Sequence, residues 1–73
     1  MNKLQREAAK KDIFLGLKAE YPEGHMPISD AADKIGTQPR KLPNYGVVSF
    51  RFKKGKRCRI EYVADAMAEQ QGL

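Results

Sequence analysis

Apolar positions follow one rhythm at each end of this chain and another between them. Near the N-terminus, Ile13, Leu17 and Tyr21 recur every fourth position with Phe14 beside them. That spacing predicts one apolar face of a helix running from a cap at Asn2 to about Tyr21. Leu4, Ala8 and Leu15 form a second stripe on nearly the opposite side. A helix apolar on two sides must lie between other elements or against another chain. Gly16 weakens it by about 1 kcal/mol relative to alanine. Tyr21-Pro22-Glu23-Gly24 ends it, because proline cannot continue the ladder and disfavours helical geometry in the residue before it.

His25-Met26-Pro27 reads as a connector. Ser29 is a good N-cap for a second helix, Asp30 to Ile35, with Gly36 as the residue past its end. Ile28, Ala32 and Ile35 form its buried side. Thr37 is a further cap, with Pro39 in the first turn after it, where a missing N–H is harmless. Helix, tight glycine turn and helix start together outline a helix-turn-helix. Pro43 confines the third helix to little more than Pro39 to Leu42, and Asn44-Tyr45-Gly46 turns the chain into strands.

From there the period drops to two. Val48, Phe50 and Phe52 alternate on one side, and Cys58, Ile60 and Tyr62 resume the alternation after a turn. A three-residue loop, Lys53-Lys54-Gly55, would place Gly55 in the left-handed conformation. That register sets Phe50 opposite Cys58 and Val48 opposite Ile60 against the core. On the other side it pairs Arg51 with Arg57 and Ser49 with Arg59. Helical spacing returns from about Tyr62 to Gln71, with Val63, Ala64, Met67 and Ala68 on one side and Gly72 as a stop. The expected architecture is α+β, in one domain spanning residues 1–73: three N-terminal helices, the third very short, a basic β-hairpin, and a C-terminal helix. No element can bury its own apolar face alone, so all share one core.

Charge sharpens this picture. The chain carries a formal +5, but from Lys34 through Ile60 there are nine Lys/Arg and no acid. All nine acids lie outside that window against five bases, so the remainder carries −4. A basic segment on a mildly acidic body is the footprint of a chain presenting one face to a polyanion. Edge protection of a strand by lysine is the plainer explanation, but it does not need the six cations between Arg51 and Arg59.

The remaining composition excludes more than it suggests. Ile13-Phe14-Leu15 is the longest apolar run, too short for a bilayer, and with no secretion signal in MNKLQREAAKK a cytoplasmic location is expected. Cys58 and His25, one of each, are too few for an ordinary zinc site, so no metal or cofactor is expected. Cys58 reads as a small buried hydrophobe, although Arg57 and Arg59 beside it would lower a thiol pKa. No paired carboxylates, phosphate loop or activated nucleophile are found, and neither enzyme activity nor a small-molecule substrate is expected.

A helix-turn-helix followed by a basic two-stranded wing is the winged-helix plan. LPNYGVVSFRFKKGKRCRIEYVADAMAEQ, Leu42 to Gln70, resembles the small excisionase, AlpA and MerR-like family of winged-helix DNA-binding proteins. The resemblance rests on Leu42-Pro43, the strand Val47 to Phe52, Gly55-Lys56-Arg57, Arg59-Ile60 and the closing helix. Upstream, ISDAADKIGT supplies Ala32, Ile35 and Gly36 in the family's first helix and turn. Only Thr37 to Lys41 precede the Leu-Pro pair, fewer than the family's recognition helix has, and the first 21 residues add a helix. The resemblance implies DNA binding, as an excisionase-like or phage- or plasmid-borne transcriptional regulator.

Lys53, Lys54, Lys56, Arg57 and Arg59, with Arg51, are then the phosphate contacts of the wing. Thr37, Gln38, Arg40, Lys41 and Asn44 position it or reach a base edge. Duplex DNA is the expected partner, and the two-sided first helix suggests a homodimer. Two other readings stay open. One is a phage-type inhibitor whose basic face meets an acidic protein. The other is an RNA-binding module with Phe50 and Phe52 stacking on bases, which requires those rings to be exposed; their alternation with Val48 instead favours the core.

Overall fold

The computed structural model describes residues 3–53 and 55–70, the side chains of residues 3, 4 and 6 excepted. Its element order is α1 (Lys3–Glu20), β1 (His25–Pro27), α2 (Ile28–Ile35), a 3₁₀ helix (Pro39–Tyr45), β2 (Ser49–Phe52), β3 (Gly55–Arg59) and α3 (Ile60–Gln70). The class is α+β: helices pack on one face of a small three-stranded antiparallel sheet of order β1-β3-β2. Expected features at Asn2, Lys54, Gln71 and Gly72 lie outside the described residues.

α1 buries the face its four-residue spacing predicts. Leu17 is buried, with Ile13, Phe14 and Tyr21 packed at the edge of the core, and the helix lies along α3. Of its second stripe, Ala8 and Leu15 are exposed, and the side chain of Leu4 lies outside the described residues. Lys10 Nζ meets Asp65 of α3 at 3.2 Å, with both side chains about half exposed; such a pair contributes at most about 1 kcal/mol. The far end of α1 is tied to α2, where the Tyr21 hydroxyl donates to Asp30 Oδ2 at 2.9 Å and Lys34 Nζ to Glu20 Oε2 at 2.9 Å.

His25-Met26-Pro27 is a strand and not a connector. Met26 faces Cys58 of β3, and both are fully buried. Apolar contact across the ladder makes an extended conformation worthwhile for three residues that no local periodicity marks. Pro27, which cannot donate to a ladder, sits at an edge where β1 pairs only with β3. It also serves as N-cap, so α2 starts at Ile28 with no side-chain cap from Ser29. Gly36 ends α2 at φ 85°, its N–H bonded to Ala32 O, as its position past the last apolar residue requires.

Pro43 does not stop the third helix. The segment Pro39–Tyr45 is 3₁₀ throughout and begins from Gln38, not Thr37. In an α-helix the proline ring would strike the carbonyl four residues back; the tighter winding avoids that clash. Gly46 N–H donates to Pro43 O, and Val47 N–H to Leu42 O. Leu42 is the anchor, almost wholly buried.

The hairpin is shifted by one residue from its expected register. Ser49 pairs with Cys58, Phe50 with Arg57, Arg51 with Lys56 and Phe52 with Gly55. The expected Phe50–Cys58, Val48–Ile60, Arg51–Arg57 and Ser49–Arg59 pairs are therefore absent. Because side chains alternate, one step exchanges the two faces of β2 relative to β3. Val47 enters the core and Val48 is 62% exposed. Gly55 is an ordinary strand residue, and the positive φ falls on Lys53, at 55°.

β3 passes into α3 without a loop. Ile60 and not Tyr62 is the last inward residue of that alternation, and it already belongs to the helix. Its N–H donates to Gly24 O at 3.1 Å, fixing the junction against the chain entering β1. Met26, Leu42, Val47, Cys58, Ile60 and Val63 are the largest fully buried side chains among the described residues, drawn from the 3₁₀ helix and the segment after it, the sheet and α3. Among the described residues no helix is long and apolar enough to cross a membrane.

Candidate nucleic-acid interface

The register divides the cations of the hairpin between two faces. Lys56 and Cys58 project to one side of β3, and Arg57 and Arg59 to the other. Arg51 joins the Lys56 side through its pairing. On this side a groove of about 350 Å³ runs between the 3₁₀ helix and the hairpin. Ile28, Leu42 and Pro43 form its apolar base, with Arg40, Ser49 and Lys56 exposed along it. Arg40 is steadied by Gln38, whose Oε1 accepts from Arg40 Nε at 2.9 Å. Lys41 and Asn44 are exposed on the same 3₁₀ helix. Thr37 is half-buried in the turn before it, its N–H bonded to Ala32 O.

Among the described residues, none of Arg40, Lys41, Arg51 and Lys56 forms an ion pair. Arg51 lies directly across the ladder from Lys56, and like charges in that relation are destabilising. The acids gather elsewhere: Glu20, Asp30 and Asp33 line a shallow cleft beside Tyr21 and Lys34. There, burial, followed by the hydrogen bond to Asp30 and the nearby carboxylate charges, pushes the Tyr21 hydroxyl up to about 12.

Arg57 has a different occupation. Its Nε donates to His25 Nδ1 at 2.6 Å, and its Nη2 to Glu23 Oε1 at 3.2 Å and His25 O at 3.3 Å. This side chain is only 23% exposed, and it staples β3 to the segment entering β1. An accepting Nδ1 puts the proton of neutral His25 on Nε2. His25 is therefore a structural partner and not a bare loop residue. Sequence reasoning missed both His25 and Glu23, because the pairing of β1 with β3 that brings them to Arg57 has no local signature.

Phe50 and Phe52 share the Arg57 face and leave the core. Phe50 is half-buried, and Phe52 is 40% exposed. The two rings meet edge to face at 6.4 Å between centroids. His25 lies 5.6 Å from Phe50 and 5.0 Å from Phe52. Arg59 is exposed beside them, and Lys53 Nζ stands 5.5 Å from the Phe52 ring centre.

Cys58 is fully buried, and burial pushes its thiol up to about 11 despite the opposing charge of Arg57. Among the described residues no three metal-ligating side chains lie together. Compared with protein-family models, with curated proteins and with solved structures, the chain matches none, so its likeness to the excisionase group rests on the short motifs alone.

Proposed function

We propose that the protein is a winged helix-turn-helix DNA-binding protein that takes duplex DNA along the groove between its 3₁₀ helix and β-hairpin. The observation that carries this reading is the unneutralised pair Arg51–Lys56, facing the groove side on which Arg40 also lies. Folding gains nothing from opposing two cations on one ladder. A phosphate between them turns the repulsion into two favourable contacts.

The topology agrees with such a role. A strand precedes the helix-turn-helix segment and pairs with the second strand of the hairpin, so helix and hairpin are held to one sheet at fixed relative positions. Arg40, Lys41, Arg51 and Lys56 form the phosphate-contacting set, with Gln38 and Asn44 beside them. A short 3₁₀ helix inserts less deeply into a groove than a two-turn α-helix, so backbone contacts dominate and sequence preference is weak. This suits an architectural or excisionase-like regulator.

Four phosphate contacts give a loss of roughly two decades in affinity between about 50 and 200 mM salt. Fluorescence anisotropy of a labelled random duplex at the two concentrations measures it. Affinity that ignores salt, or that survives combined replacement of Arg40, Arg51 and Lys56 by glutamine, overturns the reading.

A further inference from the structure

The outer face of the sheet carries an aromatic trio bordered by cations. The geometry points to a second binding face there, for unpaired nucleotides: a base stacks on Phe52, with Lys53 and Arg59 on the adjoining phosphates.

His25, Phe50 and Phe52 come from two strands that are not neighbours, β1 and β2, and meet across β3. They form one edge-to-face cluster in which Phe52 is the most exposed ring. Beside it is a cleft of about 440 Å³, with Lys18 and Arg59 among its lining residues. Two acids also line it, Glu23 and Glu61. Glu23 is already paired with Arg57. Lys18, Lys53, Arg57 and Arg59 against Glu23 and Glu61 leave this face with two net positive charges. Lys53 stands on an exposed tip, free to exchange its position over the Phe52 ring for a phosphate.

The chemistry selects the ligand. A ring 40% exposed, with Lys53 and Arg57 over it at 5.5 and 6.0 Å, complements a planar base joined to phosphate once Lys53 moves from the ring to that phosphate. A duplex cannot use it, because its bases are already stacked on one another and offer only their edges. The two faces of the ribbon are therefore suited to different forms of nucleic acid. This inference does not rest on duplex binding in the groove; either face can fail without the other.

The test is anisotropy with a labelled oligothymidine and, separately, with a labelled duplex of the same length, using the full chain. Phe52→Leu keeps apolar bulk but removes the π face, and Phe52→Tyr restores it. Loss of one base stack corresponds to roughly a 5- to 150-fold weaker affinity for oligothymidine. The expected result is that loss in Phe52→Leu, recovery in Phe52→Tyr, and unchanged duplex affinity in both. Equal loss on both ligands assigns Phe52 to the duplex site and overturns the inference, as does oligothymidine binding that is absent or indifferent to residue 52. A change in sedimentation on Phe52→Leu, with no change in oligothymidine affinity, means that a second copy covers the face, and this also refutes the proposal.

Discussion

Lys56 and Arg57 are adjacent cations on one strand, and the structure gives them opposite effects on stability. Arg57→Ala removes two hydrogen bonds to His25 and the ion pair to Glu23. A hydrogen bond from a charged donor contributes about 1.5–3 kcal/mol. The bond to the His25 carbonyl is long, and the carboxylate is half exposed, which reduces the Glu23 pair to at most about 1 kcal/mol. A net loss of about 2 kcal/mol lowers the melting temperature by roughly 8–16 °C in a domain of this size. Lys56→Gln keeps most of the apolar stem but removes one of two like charges facing each other. It gains roughly 0.2–1 kcal/mol, raising the melting temperature by about 1–8 °C. Thermal unfolding monitored by far-UV circular dichroism, at about 20 and 300 mM salt, measures both. The gain from Lys56→Gln should shrink as salt screens the exposed pair, whereas much of the loss from Arg57→Ala persists. Shifts of the same sign for the two variants would refute the register on which the assignment of faces depends. A stable Arg57→Ala protein would refute the staple.

Other outcomes rest on particular residues. Lys56→Gln should also lower the slope of log affinity against log salt for duplex DNA by about 1, which a salt titration reads directly. Leu42→Ala removes the buried anchor of the 3₁₀ helix and should cost about 2–5 kcal/mol in urea unfolding; a smaller loss would show that the helix is not held by that side chain. Cys58, buried with its thiol pKa raised to about 11, should resist alkylation in the native state at neutral pH and react promptly in denaturant. Tyr21 should ionise near pH 12 by ultraviolet titration, and Tyr21→Phe should abolish that step. Its folded pKa lies above the ordinary value of 10. Its contribution to stability is thus complete below pH 10 and declines as pH rises through about 12.

The sequence alone determined the features that local chemistry dictates. α1 arises from apolar residues at helical spacing, and its C-terminal limit from Pro22. Gly36 closes α2 because a left-handed residue is needed there and glycine takes that conformation without strain. The last helix, the presence of a hairpin, the burial of Cys58 and the segregation of charge are likewise properties of short windows. The tertiary structure decided everything that depends on distant partners. β1 exists because Met26 finds Cys58, thirty-two positions away, and no three-residue window can announce that. The local pattern favoured the other register, since Val48, Phe50 and Phe52 alternate as one apolar face whereas Val47 is followed on its side by Ser49 and Arg51. Packing chose Val47, and with that single step Phe50 and Phe52 moved outward, Arg57 joined His25 and Glu23, and Arg51 came to face Lys56. A period of two fixes which residues share a face but not which face is inside. That choice belongs to the core, and here it separates the cations that hold the fold together from those left for a ligand.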